Sequence, residues 1–292
     1  MVRADCSFGL PSTIPVPTAG GQPVGITTGP GGIWYADPAN GFVGLVDGSD
    51  TITEFALPEA DSAPTAIAAG PDGALWFTEP GINAIGRMTP AGEAADFPLP
   101  AVGSAPAGIA AGPHGNVWYT LQNANRIGWA SAADGLTDVA LNGSPAPDGI
   151  TAGPDAAMWF TERSGNAIAR IDVATEAVST FDLPTPGSQP GAIVAGADGA
   201  LWFTMAGTNQ IGRMMTDGTF SAVDLPDEAA NPSAIAAAPD GAIWYLFGGD
   251  AGTAVAHRPY LDRCRSLVLW FSKQGWDGAP ALVGPVAFCS PA

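Results

Sequence analysis

Seven positions in this chain have side chains suited to holding a cation or a polar ligand, or to shaping the pocket around one. Three residues after each of six recurring tryptophans stand Asp37, Glu79, Leu121, Glu162, Met205 and Phe247. Asp148 joins them from the loop that enters another strand. Carboxylate oxygens are ligands for hard cations such as Mg²⁺ or Ca²⁺, and Asp148 with Glu162 is the expected metal-holding pair. Solvated rim charges are the competing reading of these acids. Leu121, Met205 and Phe247 would make the other half of the same rim apolar. A mouth that is acidic on one side and greasy on the other suits an amphipathic or basic ligand. The two histidines, His114 in a Gly-Pro-His-Gly turn and His257, read as a surface turn residue and a structural strand residue. No Ser-His-Asp set, phosphate loop or cysteine nucleophile is legible, so no catalytic residue is assigned.

The elements that must position these residues come from a repeat. Trp34, Trp76, Trp118, Trp159, Trp202 and Trp244 recur at intervals of about 42 residues. Each lies in a phrase such as GALWFT, GNVWYT or AAMWFT. An Ile precedes each (Ile26, Ile67, Ile109, Ile150, Ile193, Ile235), and a Pro precedes each Ile by three residues (Pro23, Pro64, Pro106, Pro147, Pro190, Pro232). Every copy reads as four short strands. An Ala-rich strand comes first. A Gly-Pro-Asp-Gly turn leads to the aromatic strand, then come the Asn-Ala-Ile-Gly-Arg-Met type and the Phe-Pro-Leu-Pro type. No stretch carries a helical period.

Four strands per copy, repeated radially, predict an all-β fold: a six-bladed β-propeller over residues 7–259. The Trp is expected between neighbouring blades, and the Arg of Ile-Gly-Arg is expected to pair with a neighbouring blade's acid. His257 is expected in the slot that Arg87, Arg170 and Arg213 fill. Residues 12–26 resemble residues 179–193, a fourth strand followed by a first. The N-terminal strand is therefore expected to complete the last blade and close the ring, leaving no weak seam. Residues 260–292 depart from the repeat. The run SLVLWF within them suits an added outer strand, a cover on one face or the start of another domain.

Composition bounds the partners. With Lys+Arg 10 against Asp+Glu 28, the formal charge is −18, which repels phosphate backbones and argues against nucleic acid. No apolar run reaches membrane-spanning length. The first twenty residues lack a basic start followed by an apolar stretch, so no secretion signal is visible; a cytoplasmic protein and an exported domain lacking its signal both stay open. Cys6, Cys264 and Cys289 fit no zinc spacing, and pairing of Cys264 with either Cys6 or Cys289 stays open. A monomer that takes a small-molecule or protein ligand at its funnel is expected.

The phrase Pro-x-x-Ile, Gly-Pro-Asp-Gly, Leu-Trp-Phe-Thr-Glu, then Asn-x-Ile-Gly-Arg and Phe-x-Leu-Pro, resembles the repeat of the streptogramin B (virginiamycin B) lyase family over residues 12–259. That resemblance implies a propeller, seven-bladed in the family against six units here. It also implies a Mg²⁺-dependent elimination that opens a cyclic depsipeptide antibiotic by breaking an ester C–O bond. A base removes the proton α to a carbonyl and the cation stabilises the enolate. The resemblance places a His directly after the Pro of the inner strand in late blades, with a Glu before that Pro. Here the position after the Pro holds Val24, Thr65, Ala107, Asp148, Gly191 and Ser233, and Asn231 precedes the last Pro. The expected function is therefore a lyase-like propeller that binds a ligand or partner without the family's His and Glu set. An active lyase using displaced residues is the alternative, and a metal-dependent lactonase-type hydrolase a further one.

Overall fold

The computed structural model describes residues 13–225, 231–238, 241–247, 253–257, 267–270 and 281–283. Each repeat forms one antiparallel four-stranded sheet, in chain order from the inner strand outward. Sheet 1 comprises Gly25–Gly29, Gly32–Asp37, Phe42–Asp47 and Ile52–Ala56. Sheet 2 comprises Ile67–Ala69, Leu75–Glu79, Ala84–Met88 and Ala94–Pro98. Sheet 3 comprises Pro106–Ala111, Val117–Leu121, Arg126–Ser131 and Gly135–Ala140, and sheet 4 Pro147–Ala152, Met158–Glu162, Ala167–Ile171 and Val178–Asp182. Sheet 5 comprises Pro190–Ala195, Ala200–Met205, Gln210–Met215 and Phe220–Asp224, and sheet 6 Pro232–Ala237, Ile243–Phe247, Thr253–His257 and Leu267–Trp270. Among the described residues the one helical element is the short 3-10 turn Pro113–Gly115, and no helix is long and apolar enough to cross a membrane.

The sheets stack through alternating faces. A strand sends successive side chains to opposite sides, so the Trp faces the following sheet and the next residue faces the preceding one. Trp76 thus packs in one core with Val117, Tyr119 and Leu121 of sheet 3, and Trp159 with Leu201, Phe203 and Met205 of sheet 5. The Trp is a seam residue, as its spacing implies. Within its own sheet it stacks on the outer-strand Phe: Trp34 on Phe55, Trp76 on Phe97 and Trp159 on Phe181, with centroids 5.6, 5.5 and 5.5 Å apart.

The glycine of Ile-Gly-Arg has a steric reason. Phe77 and Phe203 lie flat across Gly86 and Gly212, and a Cβ at either position would overlap the ring. The Pro-x-x-Ile phrase makes a bulge: the register against the second strand shifts between Pro106 and Ile109, Pro147 and Ile150, and Pro190 and Ile193. A threonine fills it. Thr120 Oγ1 accepts from Gly108 N at 2.8 Å and donates to the Asp148 carbonyl of the next sheet at 2.6 Å. Thr161 repeats this between Gly149 N and the Gly191 carbonyl, at 2.9 and 2.8 Å. These hydroxyls tie consecutive inner strands together.

The ends of the chain depart from expectation. Leu267–Trp270, not the N-terminal strand, is the fourth strand of sheet 6, in register with Thr253–Ala256. A strand a few residues downstream closes a far shorter loop than one from the other end of the chain. The N-terminal strand Thr13–Pro15 pairs instead with Ala281–Val283. Val16, beside that strand, packs on Tyr35 and Val46 of sheet 1, with Ile14 at the edge of the same cluster. Cys6, Cys264 and Cys289 lie outside the described residues.

Candidate functional site

An exposed ion pair joins the start of the inner strand of sheet 4 to the residue after its second strand. Asp148 occupies the position directly after the inner-strand Pro147, and its Oδ2 accepts from Arg163 Nη1 at 3.2 Å. Their side chains are 27% and 45% exposed, so both reach solvent. Asp148 Oδ2 also lies over the next inner strand, where a Cβ on Gly191 would sit 3.8 Å away. The bulge aims this carboxylate, because Thr120 holds the Asp148 carbonyl and Thr161 holds the Gly149 amide. Arg163 follows directly on the aromatic strand, where its amide bonds the Ala146 carbonyl at 3.1 Å.

The residues three after each Trp share one register slot, but that slot faces the seams, not the axis. It has the parity of the aromatic that follows Trp. Leu121 and Met205 are each 1% exposed, inside the cores between sheets 2 and 3 and between sheets 4 and 5. They form no apolar rim. Asp37 is fully buried and accepts from Gln22 N at 2.9 Å, Ala39 N at 3.1 Å and Asn40 Nδ2 at 3.1 Å. It fastens residues ahead of sheet 1 to the turn after its second strand. Glu79 is fully buried, and burial with the nearby charge of Asp96 pushes its carboxyl up to about 8. Glu162 is 7% exposed, and burial, then Asp182, pushes it up as well. The backbone of Phe247 pairs with Pro232, and its side chain lies outside what the structure describes.

Of the expected cation pair, Asp148 is engaged by Arg163, and Glu162 is buried, which pushes its carboxyl up. Among the described residues, no three His, Cys, Asp or Glu side chains come together as metal ligands.

His114 lies in an exposed turn at the far end of the strands, with φ 62°. His257 is not in the Arg slot: Trp244 pairs with Ala256, and His257 pairs with Ile243. The Arg residues find their acids in their own sheets, not a neighbour's. Arg87 Nε donates to Asp72 at 2.8 Å, Arg170 Nε to Asp155 at 2.6 Å and Arg213 Nε to Asp198 at 2.8 Å. The other oxygen of each Asp accepts the Trp Nε1–H, at 3.1, 2.9 and 3.1 Å for Trp76, Trp159 and Trp202. The sequence carries the signal for this. Where the turn lacks Asp, the Arg is also replaced: His114 accompanies Trp129, and Gly31 accompanies Leu45.

Comparison with known proteins agrees with this construction. The Virginiamycin B lyase family matches residues 7–146 and 112–252. A virginiamycin B lyase of Nocardia farcinica (strain IFM 10152) is 43% identical over 61 residues, which span 21% of this chain and 22% of that relative's length. A streptogramin B lyase structure superposes with a TM-score of 0.82 at 32% identity, covering 90% of this chain and 87% of the other. The Staphylococcus aureus virginiamycin B lyase with quinupristin, a catalytically inactive histidine-to-alanine variant, gives 0.82 and 32%, covering 92% and 90%.

Proposed function

The chain belongs to the Virginiamycin B lyase family, and from that premise we propose that it is a ligand-binding propeller in which the elimination has lost its base. The observation that carries this reading is the row of inner-strand positions directly after Pro: Val24, Thr65, Ala107, Asp148, Gly191 and Ser233. An elimination needs a group at that mouth able to take a proton near neutral pH. Histidine is the ordinary choice, and His114 is at the opposite end of the strands. Glu79 has a suitably raised pKa, but its carboxyl is sealed between two sheets.

The ring itself we read as six complete blades, with the two-stranded sheet of Thr13–Pro15 and Ala281–Val283 at the seam. The mouth presents Asp148 and Arg163, one group of each sign, on a rigid inner wall. A cyclic peptide with polar carbonyls and amides fits such a pair, and quinupristin, bound in the related structure, is the probe of choice.

Titration calorimetry with quinupristin tests the reading. Binding is expected in the parent, and about tenfold weaker binding in Asp148→Asn and Arg163→Gln, a loss of about 1.4 kcal/mol. Equal affinity in both variants would remove the ion pair from the site. The alternative is an active carbon–oxygen lyase with Asp148 as a displaced base. Likeness to lyase structures over nine-tenths of the chain favours it. It requires turnover that Asp148→Asn abolishes.

A further inference from the structure

One register slot, three residues after the Trp, is filled in two chemically opposite ways. It holds Leu121 between sheets 2 and 3 and Met205 between sheets 4 and 5, but Glu79 between sheets 1 and 2 and Glu162 between sheets 3 and 4. A buried serine of the incoming connection precedes three of these sheets. In sheets 3 and 5, Ser104 and Ser188 turn their hydroxyls back onto the Ala101 and Thr185 carbonyls, each at 2.6 Å. In sheet 2, Ser62 makes no such bond. Its hydroxyl, both oxygens of Glu79 and Oδ1 of Asp96 are all shut off from solvent without an aligned partner.

The groups that act on Glu79 are Asp96 on the outer strand of its own sheet and Ser62 on the connection from sheet 1; Glu59, on that same connection, acts in turn on Asp96. None of them is a cation. A buried carboxylate that faces a second carboxyl and no positive charge has one low-cost state, in which a proton is retained. We infer that Glu79 and Asp96 share a proton in the seam between sheets 1 and 2, which makes that seam an alkali-sensitive latch on the connection of residues 57–66.

The connection is already held at this point, since Gly81 N donates to the Ser62 carbonyl at 3.1 Å. Burial first, and the Asp96 charge second, push Glu79 from its ordinary 4.5 to about 8. Burial, then Glu59, pushes Asp96 up too, so the proton belongs to the pair. The sign follows. Between about 4.5 and about 8 the unfolded chain has lost a proton that the folded chain keeps. The seam is at full strength below that window, weakens as pH rises through it, and is weakest and constant above it.

Melting and hydrogen exchange of the full chain at pH 5 and pH 8 test this, with Glu79→Gln, Asp96→Asn and Glu79→Met, the last copying sheet 5. All four proteins share the general repulsion of a highly acidic chain, so differences from the parent isolate the pair. The parent is expected to melt several degrees lower at pH 8 than at pH 5, and Glu79→Gln and Glu79→Met to lose most of that drop. Exchange over residues 57–66, corrected for the intrinsic rate, is expected to rise about tenfold at pH 8 in the parent and little in the Glu79 variants. At pH 6.5 an infrared carbonyl band of a neutral carboxylic acid should be present in the parent and diminished in Glu79→Gln. Should one variant fail to fold, the others carry the same readouts, Asp96→Asn moving the melting drop to lower pH. The parent's full drop retained in every folded variant, or a band that Glu79→Gln leaves intact, would overturn the inference.

Discussion

Ala156 shows what a single repeat position costs when the wrong residue fills it. The fourth residue of the strand-connecting turn is left-handed in four of the other five copies, with φ 76° at Gly73, 80° at Gly115, 75° at Gly199 and 84° at Gly241. Ala156 takes the same conformation at φ 61°. A Cβ there costs roughly 1–2 kcal/mol, partly offset by the greater chain entropy that glycine loses on folding. Ala156→Gly is therefore expected to stabilise the protein by about 0.5–1 kcal/mol, read as a raised urea midpoint at an unchanged slope. The same scale explains why the slot three after Trp faces a seam. Counting three residues from Trp finds the right end of the strand, and alternation decides the side. Leu121 and Met205 in that slot are the sign that it is a seam position, and they reveal it only when read beside Tyr119 and Phe203.

At the scale of the strand pair, each complete repeat builds a small polar unit from turn, second strand and third strand. Asp72, Asp155 and Asp198 each bridge one Trp N–H and one Arg. Burial pulls these carboxyls up, but the Arg and Trp bonds outweigh it and hold them below their ordinary 3.8. Asp155→Ala strips Trp159 and Arg170 together and should cost about 1–3 kcal/mol by chemical denaturation. A cost near zero would show that water replaces the carboxylate freely. The threonine bulge is the second such device. Thr120→Val would leave the Gly108 amide and the Asp148 carbonyl without their bridge, at a cost of about 1–3 kcal/mol. It should also weaken ligand binding through Asp148, whereas Thr78→Val, two inner strands away, should cost similar stability and leave binding unchanged. The turns, strand order and bulge of these units are legible in the residues because glycine, proline and asparagine each have local reasons for their places. The partner of each Arg is legible only by noticing that both copies whose turn lacks Asp also lack the Arg, at His114 with Trp129 and at Gly31 with Leu45.

Over the whole molecule, two opposing titrations shape the pH response. The three turn aspartates contribute stability above their unfolded value of 3.8 and lose it as pH falls. Glu79 acts in the other direction, weakening the fold as pH rises from about 4.5 to about 8. Melting temperature is therefore expected to peak in mildly acidic solution and to decline on both sides; a maximum above pH 8 would contradict the burial of Glu79. The repeated architecture was open to sequence reasoning because six near-copies average out local ambiguity. The outer strand of sheet 6 was not, because it has no second copy to compare with, and Leu267–Trp270 follows no repeat phrase.

The central claim is that this chain keeps the scaffold of the lyase family without its reaction. Chromatography with tandem mass spectrometry of quinupristin, after incubation with the protein and Mg²⁺, tests it most directly. The account predicts a single unchanged cyclic species. A new linear isomer of the same mass, absent with Asp148→Asn, would establish elimination and contradict the account, and a product heavier by one water would point to ester hydrolysis instead.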